Sequence, residues 1–230
     1  MSLPSLHRPR RIGLALLLLA MPACGLAEYE KLMSDTQERE ERFRAEQKYL
    51  GPPVQIPTKK EEVITGDGKE ERDVPLVKVF FRPPKGVESK SKQSGMMWRY
   101  GAASQSDFIA VDMAFAEEEK DFSRNVLEYY GRPDLSLAPR QITVPGQKTP
   151  MNIESCEFNR EKGSYSVNIL RDSSSKPVAI VYIYKKERAD SAHKIIELSL
   201  QSVGLEQTYS IAKMRFDQRS PWKLHGPPSP

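Results

Sequence analysis

Cysteine is nearly absent from this sequence. Cys24 and Cys156 are the two thiols in 230 residues, so a disulfide-stapled scaffold is excluded. Histidine is as scarce. Of His7, His193 and His225, only His193 lies in the part patterned for a core. A His-rich zinc site cannot be built there, and no His-Glu-x-x-His spacing occurs, so no metal is expected. The glycines form neither G-x-G-x-x-G nor a Walker spacing, so no cofactor is expected either. No apolar run approaches the roughly 20 residues of a spanning helix, which excludes a multispanning membrane protein.

What is present begins with an address. Arg8, Arg10 and Arg11 precede the apolar run Ile12 to Ala20, and Met21-Pro22-Ala23-Cys24-Gly25 follows. A basic end, a short apolar core and small residues at a cut are the order of a secretory signal. Residues 1–23 are therefore read as a signal peptide. Removing them leaves 32 basic against 31 acidic residues, a formal charge of +1. The chain's basicity belongs largely to the signal, and a nucleic-acid partner, which needs a basic patch or stripe, is not expected.

Residues 24–50 read as one membrane-proximal polar helix. Glu38 with Arg42 and Glu40 with Arg44 fall at i,i+4 with the acid first, the better orientation. Apolar positions are too sparse for a coiled-coil seam. The helix is a solvated stalk, or docks a partner through its two apolar ends. Residues 51–75, with Pro52, Pro53, Pro57, Pro75 and a charge-rich stretch, predict an extended linker.

From Leu76 the pattern becomes that of a core. Alternation predicts strands over Leu76 to Arg82, Met96 to Tyr100, Phe108 to Phe115, Met151 to Phe158 and Ser164 to Leu170. Val178 to Lys186 is apolar on both faces near its start and reads as a central strand. Helices are predicted over Glu117 to Tyr130, on the stripe Phe122, Val126, Leu127 and Tyr130, and over Ala192 to Val203, capped by Asp190 or Ser191. A short edge strand is expected around Ile142 to Val144, and another over Tyr209 to Phe216. Short turns between strands predict an α+β domain at 76–216: a mainly antiparallel sheet with flanking helices. Residues 217–230 read as a disordered tail.

Met21-Pro22-Ala23-Cys24 resembles the lipobox of bacterial lipoproteins, in which the Cys is acylated and becomes the first mature residue; Met21 stands where Leu is usual. A polar helix after that Cys, and Arg82-Pro83-Pro84-Lys85-Gly86 entering the domain, extend the resemblance along the chain. It implies lipidation at Cys24, membrane anchoring and a location in the cell envelope; it carries no activity. By element order alone, the domain resembles small α+β folds of the Mog1/PsbP kind.

Chemistry is thin. Asp112 interrupts an apolar strand and, if buried, needs a partner, with Arg82 and Arg99 as candidates. Trp98 and Tyr100 share a face of one strand. With Asp112 they form a candidate ligand or partner face, the alternative being plain core packing. Cys156 reads as a buried inert thiol and His193 as a locally bonded side chain; a hydrolase site would have to bring Asp112, Cys156 and His193 together. The lysines Lys85, Lys90 and Lys92 read as a solvated loop. The expected function is a lipid-anchored envelope protein that binds a protein partner or serves as a scaffold. The alternatives are a small-ligand binder or that hydrolase.

Overall fold

A computed structural model describes residues 22–65, 68–116, 120–144, 147, 149–171, 176–206 and 208–219. The expected signal segment up to Met21 and the expected tail from Ser220 lie outside them. The chain divides into two compact units, Met1–Gln47 and Lys48–Pro230. In the first, helix α1 begins at Pro22, and it ends at Tyr49 inside the second. No Pro or Gly interrupts it after Gly25. Tyr29, Leu32 and Met33 are exposed on it. Glu40 pairs with Arg44 at 3.5 Å, and Arg42 reaches Glu46 at 3.1 Å. Both are i,i+4 pairs, each contributing a few tenths of a kcal/mol, ~0.3–0.5.

The second unit begins with a correction. The expected linker contains a hairpin, β1 (Thr58–Thr65) and β2 (Gly68–Pro75), antiparallel with Thr65 opposite Gly68. Its charges are what disguised it: Lys60 meets Glu71 across the strands at 3.2 Å, and Lys69 meets Glu62 at 3.0 Å. Cross-strand ion pairs do here what apolar alternation does in a half-buried strand.

The main sheet has seven strands. They are β3 (Lys92–Ser94), β4 (Met97–Gly101), β5 (Phe108–Phe115), β6 (Ala138–Ile142), β7 (Met151–Arg160), β8 (Gly163–Leu170) and β9 (Val178–Tyr184). Their spatial order is β3-β4-β5-β9-β8-β7-β6, all neighbours antiparallel, so the fold is α+β. All residues of β8 and β9 are buried, the burial expected of strands covered on both faces.

Successive side chains alternate between the faces. One face carries Tyr100, Val111, Met113, Ile180 and Tyr182, and packs under α3 (Ala189–Leu200) through Ala192, Ile196 and Leu200. The other carries Met97, Ala110, Val167, Val181 and Tyr165, and packs under α2 (Phe122–Tyr129) through Phe122, Val126 and Leu127. Each Val, Leu, Ile, Phe or Met among them contributes about 1.5–3 kcal/mol on burial, as an upper figure. Three layers result, and every polar group on an inner face needs a partner.

Two predicted strands have another form. Leu76 to Arg82 forms no ladder: Leu76 and Val77 make a bend, and Phe80 makes one bridge, to Gly204. Val79, Phe80, Phe81 and Arg82 are all buried, so the alternation there does not mark one wet and one dry side. Tyr209 to Phe216 lies in a helix, α4 (Tyr209–Arg219), seated by Ala212, whose Cβ is 2.5 Å from where a side chain on Gly204 would start. Other boundaries move slightly. The edge strand β6 precedes the expected Ile142 to Val144 and ends at Ile142. Helix α3 starts at Ala189 after a 3-10 turn, Lys186–Arg188, with no side-chain cap. The lysine loop includes strand β3. Of the helix predicted over Glu117 to Tyr130, α2 starts at Phe122, and residues 117–119 lie outside the described residues.

Candidate functional site

The register decides which candidates meet. Arg99 on β4 lies directly opposite Asp112 on β5, while Trp98 lies opposite Met113 and Tyr100 opposite Val111. Trp98 and Tyr100 therefore face α3, and Asp112 faces α2. The expected Trp98–Tyr100–Asp112 face is corrected: a one-residue step along a strand puts its members on opposite sides of the sheet. Tyr100 is fully buried and donates to the Gln55 carbonyl oxygen at 2.9 Å. Burial pushes its phenol up to about 12. Trp98 is half-buried against the Phe115 ring, 5.1 Å between centroids. Both are packing residues.

Asp112 has an exposure of 0% and three donors. Arg99 gives it a bidentate pair, Nε to Oδ1 at 2.8 Å and Nη2 to Oδ2 at 2.6 Å. Tyr130, just past the end of α2, donates its hydroxyl to Oδ2 at 2.7 Å. A buried carboxylate left unpaired would cost several kcal/mol, ~3–5 once a partner is removed, and this fork-and-hydroxyl arrangement supplies the pairing. The bond to Asp112 holds the Arg99 guanidinium above its ordinary range against the opposing effect of partial burial. Burial, then the charge of Asp112, hold the Tyr130 phenol well above its ordinary range, so it stays a donor. The Arg99 side chain is 46% exposed, and its outer edge reaches the surface.

That edge opens onto a cleft of about 670 Å³. Its other cations come from two places. Arg132 follows the C-terminus of α2, held in a bidentate pair by Asp134 at 3.1 and 3.0 Å. Arg160 ends β7 and Lys162 stands in the β7–β8 turn, where Arg160 pairs with Gly163 and two residues, Glu161 and Lys162, close the loop. The turn is tight: a Cβ on Gly163 would lie 2.6 Å from the Tyr184 carbonyl oxygen. Arg160 donates Nη1 to the Tyr130 carbonyl oxygen at 2.6 Å, a cation satisfying the last turn of α2. Tyr129, Tyr130 and Tyr165 supply ring surface. Tyr165 stacks on Phe158, centroids 5.1 Å apart at 5°.

The hydrolase residues do not converge. Asp112, Val181, Val167 and Cys156 form one row across β5, β9, β8 and β7. Three strand spacings of about 4.8 Å put Cys156 roughly 14 Å from Asp112. Burial raises the Cys156 thiol, which disfavours a thiolate nucleophile. His193 lies on α3, over the opposite face. Its Nε2 is 3.1 Å from a Glu157 oxygen and 3.2 Å from the Tyr184 hydroxyl. Among the described residues, no group of three His, Cys, Asp or Glu side chains could hold a metal ion.

The sequence singles out Asp112 as a lone acid on an apolar strand and offers Arg99 as its partner. It hides Tyr130, which reads as one more member of an apolar helical stripe. It gives no signal for Arg132, Arg160 and Lys162, which stand in turns and converge through the sheet register. No protein-family model and no curated protein matches this chain.

Proposed function

We propose that the chain is a lipid-anchored protein of the cell envelope, tethered through Cys24, whose α+β domain binds a partner and does no chemistry of its own. The tether rests on the basic start, the apolar run Ile12 to Ala20, the Met21-Pro22-Ala23-Cys24 segment and the polar helix after it. The observation that carries the binding role is the cleft beside Asp112. Its buried carboxylate is consumed by Arg99 and Tyr130, so it fixes a guanidinium in place instead of moving protons. Fixed forks facing a cleft serve recognition, because their ordering cost is met before any ligand arrives. The cleft volume, about 670 Å³, lies within the usual range of ligand sites, which favours a small-ligand partner as a second reading beside a protein one.

The test places a photo-crosslinking residue at Tyr129, exposed on the cleft rim, in the full chain expressed in bacteria. A discrete adduct in native membranes, lost in an Arg160→Glu/Lys162→Glu variant, is the expected result. No adduct from Tyr129 or from a second probe at Glu161 rejects the cleft as contact site. A Cys24→Ser chain that stays membrane-bound rejects the tether.

A further inference from the structure

The cleft's cations narrow what it holds. Arg99, Arg132, Arg160 and Lys162 reach it from three separate elements: β4, the segment after α2, and the β7–β8 turn. A guanidinium has five N–H donors, and in the bonds described above none of the three arginines uses more than two. Lys162 makes no ion pair or hydrogen bond among the described residues. The acids do not cancel this. Asp112 lies wholly buried behind Arg99, Asp134 is a pair for Arg132, and Glu161 alone lines the cleft as an acid. One net positive charge remains, with donors arriving from several directions.

We propose that the cleft binds the phosphate group of a phosphate monoester whose organic body packs on the tyrosines. This deepens the binding role proposed above and rests on it. A carboxylate presents two coplanar oxygens and is satisfied by one fork. A phosphate monoester carries up to two charges and three acceptor oxygens in a tetrahedral spread, which matches donors converging from three elements. Arg99 is the anchor, since Asp112 prevents it from swinging away. Arg160 and Lys162 supply further charge, and Tyr129, exposed at the cleft, offers its ring to the rest of the ligand.

The experiment titrates the detergent-purified full chain with phenyl phosphate, with benzoate and with inorganic phosphate, following the heat of binding. Phenyl phosphate should bind at least tenfold more tightly than benzoate and more tightly than inorganic phosphate. Arg160→Gln and Lys162→Gln should each weaken it about tenfold, and raising salt should weaken it further. Vesicles of phosphatidic acid, whose headgroup is itself a phosphate monoester, against phosphatidylcholine, added to a Cys24→Ser chain, separate a lipid headgroup source from a free monoester. Binding to the anionic vesicles that depends on Arg160 identifies the phosphate as the lipid's. Equal affinity for benzoate and phenyl phosphate, or phenyl phosphate binding unchanged in both glutamine variants, overturns the assignment. So does no binding of any phosphate probe. If Tyr129 crosslinks still form and phenyl phosphate does not compete with them, the phosphate assignment fails while the binding role stands.

Discussion

Removing Arg99 should unsettle this fold more than removing the acid it serves. In Arg99→Met, Asp112 keeps its place at 0% exposure with only the Tyr130 hydroxyl to satisfy it. An uncompensated buried charge costs about 3–5 kcal/mol. In Asp112→Leu the burden is lighter. Arg99 is 46% exposed and can turn to water, leaving Tyr130 with an unmet hydroxyl at about 1–3 kcal/mol. If the pair were a surface ion pair, either change would cost about 0–1 kcal/mol; the burial of Asp112 decides against that. The double variant Arg99→Met/Asp112→Leu carries no buried charge and should lose only about 1–3 kcal/mol, less than Arg99→Met alone. Tyr130→Phe should cost about 1 kcal/mol, because the bidentate arginine remains. Urea unfolding of the full chain followed by tryptophan fluorescence measures all four, against a typical total of about 5–15 kcal/mol. Single-variant losses that add within about 0.5 kcal/mol in the double variant would refute the reasoning, since additivity marks sites that do not interact.

On the other face, Ser199 accepts from the Tyr182 hydroxyl at 3.0 Å and donates to the Arg82 carbonyl oxygen at 2.6 Å. Ser199→Ala removes both bonds in the core and should cost about 2–3 kcal/mol, against about 1 for Tyr182→Phe; the reverse order in unfolding midpoints would contradict the assigned directions. Burial raises the Cys156 thiol above its ordinary 9.0, with Arg132 opposing and Glu157 adding. Iodoacetamide should therefore label Cys156 in a Cys24→Ser chain more slowly than a free thiol at pH 8, and its rate should level off at a higher pH than a free thiol's. The linked stability is present below the unfolded thiol value and is lost as pH climbs through the folded one. Labelling faster than a free thiol at pH 8 would show that burial does not control this site.

Where one physical signal dominated, the sequence was legible. Strands β5, β8 and β9 carry apolar residues that no loop would keep in water, and α2 and α3 carry helical stripes, so each stood out. The misreadings occur where a second contact overrides the local pattern. The β1–β2 ribbon carries cross-strand Lys–Glu pairs and resembles a charged linker. Residues 76–82 alternate, yet Val79, Phe80 and Phe81 are buried together and bond no neighbouring strand along their length. The segment from Tyr209 is expected as an edge strand, but it is a helix in which Ala212 closes on Gly204 and Ile211 and Met214 stay exposed. At the site, the buried acid was visible and the cleft was not, because register brings Arg99, Arg132 and Arg160 together and no spacing in one segment encodes it.

The placement of β9 has a consequence for how the domain is made. Among the described residues it is the last strand, and it lies in the middle of the sheet, bonded to β5 on one side and β8 on the other. Phe115 must wait for Val178, with α2, β6, β7 and β8 lying between them in the sequence. Until β9 is available, β3–β5 and β6–β8 are separate ribbons, each ending in a long, apolar, unpaired edge. Pairing across such a sequence distance is slow, and open edges invite other chains. Any cell making this protein must shelter both ribbons until the final strand closes them, and a chain broken before Val178 keeps two adhesive edges for good.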